Sequence, residues 1–272
     1  ALNVNILKKL YLLIVFVWIA ANCFAQQDTL VWSDEFNGSG LPDAARWDYD
    51  LGNSGFGNNE IQVYTNNTSN VRQENGLLVI NALKTGNVWT SARLVSRDKY
   101  EFTEGRVVFR AKLPSGVGTW PALWMLGADL ESVGWPACGE IDVAEHRGKE
   151  YGVIYSSIHV PANYGNNVKT ATRELKNFDS EFHLYQANWK HDRVEFSIDN
   201  ELFFTYKPEV MNNSTWPFNK PQYIIMNIAM GGNWASDARL ETNGLKNGID
   251  PALTSVKMEI DFVRVYKPKA NP

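Results

Sequence analysis

The stretch from Gly139 to His146 reads Gly-Glu-Ile-Asp-Val-Ala-Glu-His. Three carboxylates, those of Glu140, Asp142 and Glu145, fall within six positions of an otherwise apolar run that is typical of a β-sandwich strand. Crowding of this kind raises the free energy of ionising the carboxylates, so folded proteins avoid it unless acid and base chemistry is needed. The stretch therefore predicts a strand that carries acid and base groups.

The spacing of the three acids predicts a distorted strand. On a regular strand Glu140 and Asp142 share one face, whereas Glu145, five positions after Glu140, points to the other. A β-bulge at Val143 or Ala144 would return Glu145 to the face of the other two. Retaining glycosidases hold two carboxyl groups about 5 to 5.5 Å apart, so a glycosidase site is indicated. We expect the negative charge of Asp142 to keep the proton on Glu145, and a shared hydrogen bond to orient Glu140. The structural alternative is the polar face of an exposed strand.

The bulged motif resembles the signature of glycoside hydrolase family 16, in its laminarinase-like (endo-β-1,3-glucanase) branch. The resemblance covers about residues 30 to 267 and includes, in the same order, Gly57 to Glu60, Ser91 to Leu94, Gly118 to Gly127, Met230 to Trp234 and Asp261 to Tyr266. It implies that Glu140 is the nucleophile, Glu145 the general acid and base, and Asp142 their assistant, without any cofactor for catalysis. The bulge argues against the lichenase-like branch but does not separate laminarinases from agarases or carrageenases.

Composition and patterning predict one all-β domain. The chain has 272 residues, 44% hydrophobic and 12% aromatic, enough to bury a sizeable core. Short strand-like runs occur at 77–83, 105–113, 182–190 and 256–266, and a hairpin turn is predicted near Asp199 and Asn200. We expect a β-sandwich, which the resemblance sharpens to a jelly roll with a concave substrate cleft.

The first 25 residues are typical of a signal peptide. Two lysines precede a 12-residue apolar stretch from Leu10 to Ala21, and the segment ending at Ala25 resembles a small-x-small cleavage site. The stretch is short for a membrane span. We therefore predict a signal peptide at 1–25, a single catalytic domain at 26–272, no membrane span, and a secreted or extracellular protein, with the periplasm or cell surface as alternatives. A lipoprotein anchored through Cys23 is the other interpretation, although Asn22 departs from the expected small residue.

Net charge and cysteine content limit the classes of partner and the disulfides that can be expected. The formal net charge is -4, and removal of two lysines with residues 1–25 gives -4 − 2 = -6. A mildly acidic chain is a poor match for nucleic acid or a strongly anionic polymer. The expected partner is the β-glucan polysaccharide that the resemblance implies, and a monomer is the default expectation. Cys138 would be the only cysteine left, so no intramolecular disulfide is predicted. Its place two residues before Glu140 suggests a wall of the site.

Several residues are predicted to bind sugar. The chain has ten tryptophans, and carbohydrate sites place indole faces against pyranose rings. The resemblance implies that Trp120 and Trp124 line the subsites beside the cut bond and that Asn58, Glu60 and Arg93 hold sugar hydroxyls. Trp135 and Trp234 lie in loops after or near glycines, where an exposed indole can stack on a sugar. His159, on the strand-like run that follows, is a better candidate than His146, which should point away from Glu145 on a strand. Core packing of the indoles, or a surface salt bridge of Glu60, is the structural alternative. The predicted substrate-binding residues are Asn58, Glu60, Arg93, Trp120, Trp124, Trp135, His159 and Trp234.

One structural metal is implied by the resemblance alone. Family members often carry a calcium ion away from the chemistry, and the matching ligand positions here are Glu35, Gly76 and Asp261. The alternative is that Asp261 is a simple surface acid. The four histidines show no spacing that predicts another metal site.

Three functions remain open from the sequence. The first is an exported endo-β-1,3-glucanase acting on laminarin-type β-glucan, with mixed-linkage β-1,3-1,4-glucan as a second substrate. The second is a hydrolase of a marine galactan, of the agarase or carrageenase type. The third is a non-catalytic β-glucan-binding protein, which is disfavoured because both glutamates of the motif are present.

Overall fold

The computed structural model describes residues 28–241 and 248–269. The predicted signal peptide at 1–25 lies outside the described residues. Among the described residues, no helix has the length and hydropathy needed to span a lipid bilayer.

The described chain is built mainly of strands. Strands β1 to β18 are, in order, Thr29–Asp34, Asp48–Tyr49, Val63–Tyr64, Val71–Glu74, Leu77–Thr85, Val88–Ser91, Arg93–Val95, Glu101–Phe102, Gly105–Lys112, Thr119–Gly127, Glu140–His146, Val153–His159, Lys169–Glu174, His183–Lys190, Arg193–Ile198, Glu201–Tyr206, Gln222–Met230 and Ser255–Lys267. The helices are short: α1 is Leu130–Val133, α2 is Gly232–Ala235 and α3 is Ala238–Glu241, with a 3-10 turn at Gly165–Asn167.

The strands form two sheets. The ten-stranded sheet has the order β16-β15-β14-β9-β18-β5-β6-β3, with β1 paired to β18 and β4 to β5. The eight-stranded sheet has the order β13-β12-β11-β10-β17-β7-β2, with β8 paired to β17. Strands that are far apart in sequence are often neighbours in the sheet, and β9, for example, lies between β14 and β18. The predicted all-β jelly-roll sandwich is confirmed.

The hydrophobic core lies between the two sheets and accounts for the apolar strand residues and for several tryptophans. Strand β17 is buried at all nine positions, as expected for a central strand covered on both faces. Three of the largest buried side chains are Trp47, Trp89 and Trp189, so part of the tryptophan surplus serves packing. The tryptophans predicted to bind sugar are not among the buried core residues.

The local strand predictions agree closely with the structure. Strands β5, β9, β14 and β18 match the four strand-like runs to within one or two residues. The predicted hairpin joins β15 to β16, and both turn residues have positive φ, 51° at Asp199 and 67° at Asn200. Two consecutive positive φ angles define a tight turn whose twist suits antiparallel strands, and Asp and Asn tolerate this conformation better than most residues.

Candidate active site

Strand β11 carries one residue more than its neighbours. Glu140 and Glu145 pair with Leu126 and Ala122 of β10, so five steps along β11 match four steps along β10. The pairing with β12 is shifted in the same interval, between Asp142 and Glu145. Because side chains alternate between faces, an even number of steps on the neighbour returns both glutamates to one face. The predicted bulge is confirmed.

The bulge separates apolar from acidic side chains. Ile141, Val143 and Ala144 are at most 1% exposed and belong to the core cluster. Asp142 and Glu145 are 3% and 8% exposed on the opposite face. The two consecutive core residues are what the bulge permits, since a regular strand would turn one of them toward the acids. The strand thus anchors itself in the core while presenting its carboxylates outward.

Each glutamate is held by an indole N–H. Trp135 Nε1 donates to Glu140 Oε2 across 2.9 Å, and Trp120 Nε1 donates to Glu145 Oε1 across 2.8 Å. A hydrogen bond to one carboxylate oxygen fixes the orientation of the group. The two side chains predicted to carry the chemistry are therefore positioned before any sugar arrives.

His159 lies against the acids on β12. Its Nε2 is 3.4 Å from Asp142 Oδ2 and 3.7 Å from Glu140 Oε1. Burial lowers the pKa of His159 below its ordinary value, which favours a neutral imidazole. His146, next to Glu145, instead packs in the core at 4.3 Å from the Phe178 ring, as the alternation predicted.

Burial makes the three acids hard to ionise. It raises the pKa of Glu140 to about 7 and that of Glu145 to about 7, and it raises the pKa of Asp142 well above its usual range. The charges of the two glutamates raise the pKa of Asp142 further. For Glu140, the hydrogen bond from Trp135 and the charge of Arg93 act in the opposite direction.

The role expected of Asp142 stays a prediction. Burial is the largest cause that raises the pKa of Glu145, and the charge of Glu140 acts in the same direction. The interaction of Asp142 with Glu140 lowers the pKa of Glu140, which favours the ionised form of Glu140. Burial of Asp142 works against the negative charge that the sequence predicts for it.

One flank of the acids is formed by strands β7, β10 and β17. Trp124 Nε1 donates to Asn227 Oδ1 across 2.8 Å. The guanidinium of Arg93 lies 4.8 Å from the Trp124 ring centre and 5.0 Å from that of Phe56. Arg93 also forms an ion pair with Asp50 at 3.0 Å. Asp50 also pairs with Arg97 at 2.9 Å. The flat face of the Arg93 guanidinium supports the Trp124 indole.

The loop before β3 adds a buried polar cluster to that flank. Glu60 accepts hydrogen bonds from Gln62 at 2.7 Å, from the Tyr64 hydroxyl at 3.2 Å and from Asn58 at 3.4 Å. Burial raises the pKa of Glu60. The alternative of a surface salt bridge for Glu60 is wrong, because the carboxylate is buried among neutral donors. Asn227 joins this cluster to Trp124 by donating to Tyr64 at 3.0 Å.

The opposite flank is an aromatic and cationic stack. The Trp234 ring lies 5.0 Å from the Trp120 ring and 5.0 Å from the Tyr155 ring. The guanidinium of Arg147 is 5.0 Å from the centres of both Trp234 and Tyr155, and it pairs through two hydrogen bonds with Glu150 at 2.7 and 2.9 Å. Sequence reasoning missed Arg147, although it follows the acidic motif directly.

A second exposed aromatic group lies beside Glu140. Trp135 is 45% exposed, and its ring lies 5.7 Å from His159 and 5.4 Å, edge to face, from Tyr164. Tyr164 is itself 47% exposed and was also missed. A tyrosine in a glycine- and asparagine-containing loop was the available signal. The eight predicted substrate-binding residues thus all lie on or beside the face that carries the three acids.

Cys138 is not a wall of the site. It is fully buried in a small core cluster with Val95, Leu126, Tyr223 and Ile225. Burial raises the pKa of its thiol to about 12. The sequence expectation is wrong because Cys138 precedes the strand and faces the packing between sheet and loop.

The predicted calcium ligands are engaged elsewhere. Glu35 accepts two hydrogen bonds from Arg264, at 2.7 and 2.9 Å, and Asp261 accepts one from Arg110 at 2.6 Å. Calcium sites use oxygen ligands that are free to face the ion. The arrangement does not fit a calcium site while both carboxylates neutralise arginines, and the site at Glu35, Gly76 and Asp261 stays a prediction.

Comparison with known proteins agrees with this geometry. The sequence model described as glycosyl hydrolases family 16 matches residues 58–261. The chain is 39% identical to a beta-glucanase of Rhodothermus marinus, covering 88% of this chain and 85% of that protein. It is 38% identical to a glucan endo-1,3-beta-glucosidase of Cryptopygus antarcticus, over 75% of this chain and 81% of that protein. The structure of a laminarinase from Flavobacterium sp. UMI-01 superimposes with a TM-score of 0.81 at 39% identity, covering 88% of this chain and 100% of that one.

Proposed function

Because the chain belongs to family 16 of the glycosyl hydrolases, we propose that it is an endo-β-1,3-glucanase that cuts internal bonds of laminarin-type β-glucan with retention of configuration. The observation that carries the proposal is the bulge of β11, which places Glu140 and Glu145 on one face, each held by an indole N–H. Family 16 relatives named as glucanases support the substrate class. The roles of individual residues follow from the contacts.

Hydrolysis proceeds in two balanced steps. Glu140 attacks the anomeric carbon while the bond to the leaving sugar breaks, and Glu145 gives its proton to the departing oxygen. In the second step Glu145 takes a proton from water, the water oxygen bonds to the anomeric carbon, and Glu140 is released. Two displacements at the same carbon restore its original configuration. Because the two glutamates supply the nucleophile and the proton, the mechanism calls for no cofactor.

The electrostatics suit a pair that shares one proton. Burial raises the pKa of Glu140 and that of Glu145 to about 7 each. Ionisation is favoured at Glu140 by the N–H of Trp135 and the charge of Arg93, and at Glu145 by the N–H of Trp120. One ionised and one protonated glutamate is the state that retaining hydrolysis starts from.

The flanks favour a neutral glucan over a sulfated galactan. Trp120, Trp124 and Trp234 offer indole faces for pyranose rings. The two arginines beside them are each paired with a carboxylate, Arg147 with Glu150 and Arg93 with Asp50, which Arg97 shares. The relatives named as glucanases favour the neutral glucan over the carrageenase alternative.

The activity is tested by substrate range. Purified protein should convert laminarin into a series of short oligosaccharides, with lichenan as a slower substrate and with agarose and carrageenan unchanged. The matched control is Glu145→Gln, which removes the titrating proton at nearly constant shape and should leave laminarin intact. Release of products from agarose or carrageenan alone would support the galactan alternative. Tight laminarin binding without any hydrolysis by the wild type would support the binding-only alternative.

Export and a monomeric state are part of the proposal. The basic and apolar pattern at 1–25 supports secretion, with the periplasm or cell surface as the other destinations. We propose a monomer acting on a polymer, to be tested by light scattering. A structural calcium ion would require Arg264 or Arg110 to leave its carboxylate, and a melting temperature unchanged by a chelator would contradict it.

A further inference from the structure

Two carboxylates and an imidazole converge beside the indole of Trp135. One ligand atom each from Glu140, Asp142 and His159 lies within 4.8 Å of the other two. His159 Nε2 is 3.4 Å from Asp142 Oδ2 and 3.7 Å from Glu140 Oε1. The proposed hydrolysis takes Glu140 from this group and Glu145 from outside it, and it assigns no proton transfer to His159, so the imidazole invites a separate explanation.

Two of the three separations suit the ligands of a tetrahedral zinc ion, and the third pair, Glu140 and Asp142, lies within 4.8 Å. Zinc binds histidine nitrogen and carboxylate oxygen at about 2.0 to 2.2 Å, and two ligands on a tetrahedron are then about 3.3 to 3.6 Å apart. The two measured separations from His159 fall at or close to that range. A set of one imidazole and two carboxylates suits zinc or copper, whereas calcium and magnesium favour oxygen ligands alone.

One of the ligand atoms is buried without a partner. The Asp142 side chain is only 4% exposed, and its Oδ2 has no hydrogen-bond partner among the described residues. Buried polar atoms are normally satisfied, and an orphaned oxygen aimed at two other ligands indicates a place for a cation. Glu140 is also prepared for such a role, since Trp135 holds its Oε2 and leaves Oε1 toward His159.

We propose that Glu140, Asp142 and His159 form a binding site for a divalent transition-metal ion of the zinc type, with its fourth position open to the cleft. The ion would occupy the oxygen of Glu140 that attacks the sugar, so its binding would exclude substrate and stop hydrolysis. Binding itself does not depend on the proposed glucanase activity, whereas the inhibition does.

Direct binding tests the site. Zinc chloride is titrated by calorimetry into tag-free full-chain protein, with His159→Gln as the test variant and His191→Gln as the matched control at an exposed turn. Loss of a metal ligand should weaken binding at least about 10- to 100-fold, as even outer-shell changes do. His191→Gln should bind like the wild type. Equal zinc affinity in His159→Gln and wild type, or no zinc binding by the wild type, would overturn the proposal.

A second variant protects the test from a folding artefact. Glu140→Gln changes a partly exposed side chain and should also weaken zinc binding, and circular dichroism verifies that each variant is folded. Zinc should raise the melting temperature of the wild type in a concentration-dependent manner and that of neither variant, because only a folded site binds the ion. Calcium chloride is the comparison ion and should not raise the melting temperature of the wild type or of either variant. A shift with calcium equal to that with zinc would contradict a site built from an imidazole and two carboxylates.

Inhibition separates this proposal from the proposed function. With laminarin as substrate, zinc should raise KM while leaving kcat unchanged, the pattern of competition for one site. Zinc binding without hydrolysis of any glucan would leave the metal site standing and contradict the glucanase assignment. Hydrolysis of laminarin that zinc does not affect, with no heat of zinc binding, would leave the glucanase assignment standing and contradict the metal site.

Discussion

Trp120 Nε1 donates a hydrogen bond to Glu145 Oε1 across 2.8 Å, joining an indole of β10 to the proton donor proposed on β11. The same indole lies 5.0 Å from the Trp234 ring. One side chain therefore contributes to the sugar-binding wall and orients a reacting group. Contact with the substrate and positioning of the acid are coupled through a single residue.

Loss of that hydrogen bond should shift the pH profile. The N–H of Trp120 favours the ionised form of Glu145 and so lowers its pKa. In Trp120→Phe the pKa of Glu145 should rise above about 7, and the alkaline limb of kcat/KM should move to higher pH. Trp124→Phe is the control, since its N–H binds Asn227 and no carboxylate. An equal shift in both variants would show that loss of an indole, not of the hydrogen bond, moves the limb.

Stability should fall as the buried acids ionise. The pKa of Glu145 is raised from 4.5 to about 7 on folding, so its stabilising contribution is complete below pH 4.5 and is lost as pH rises through 7. Gln imitates the protonated acid without this loss. The free energy of unfolding of Glu145→Gln, relative to wild type, should therefore rise between pH 4.5 and 7.5, by at most about 3 kcal/mol.

Urea unfolding at the two pH values measures this change. Glu150→Gln is a control of opposite sign, because hydrogen bonds from Tyr155 and Arg147 outweigh burial and lower the pKa of Glu150. Its cost to stability should be larger at the higher pH. A relative stability of Glu145→Gln that is flat with pH would contradict the burial of an ionisable acid.

Arg147 should act through Trp234. Its guanidinium lies 5.0 Å from the Trp234 ring centre and is fixed by Glu150. In Arg147→Ala the indole loses its support, and we expect KM for laminarin oligosaccharides to rise about 2- to 5-fold, equivalent to about 0.5 to 1 kcal/mol, with kcat nearly unchanged. Arg173→Ala, at an exposed pair with Glu201, is the control. A fall in kcat with unchanged KM would place Arg147 in the chemistry instead.

Azide should distinguish the two glutamates. Glu140→Ala and Glu145→Ala should each lower kcat for laminarin by at least about 1000-fold while the fold persists. With an activated glucosyl substrate, azide should attack the glycosyl-enzyme of Glu145→Ala and give the β-azide. In Glu140→Ala, azide should replace the missing nucleophile and give the α-azide. The opposite pairing of variant and product would exchange the two roles.

The parts predicted from sequence are those set by local pattern. The bulge followed from five steps between Glu140 and Glu145 with apolar residues between them, since only one extra residue puts both acids on one face. The hairpin at Asp199 and Asn200 followed from residues that tolerate positive φ. In both places neighbouring residues alone determine the backbone.

The parts that were missed depend on tertiary burial. The raised pKa of Asp142 follows from its burial beneath neighbouring side chains on the face that carries the acids, which no spacing encodes. The support that Arg147 gives Trp234 joins residues 87 positions apart, and Cys138 is buried by β17. The arginine partners of Glu35 and Asp261 likewise depend on long-range strand pairing, which the family resemblance did not indicate.

The configuration of the first product tests the central claim most directly. Proton NMR during the opening minutes of laminarin hydrolysis resolves the two anomers at the new reducing end before they interconvert. If Glu140 and Glu145 act from one face as nucleophile and acid, the β-anomer appears first and the α-anomer grows only by mutarotation. Initial appearance of the α-anomer would mean that water attacks the substrate directly, and Glu140 could not be the nucleophile.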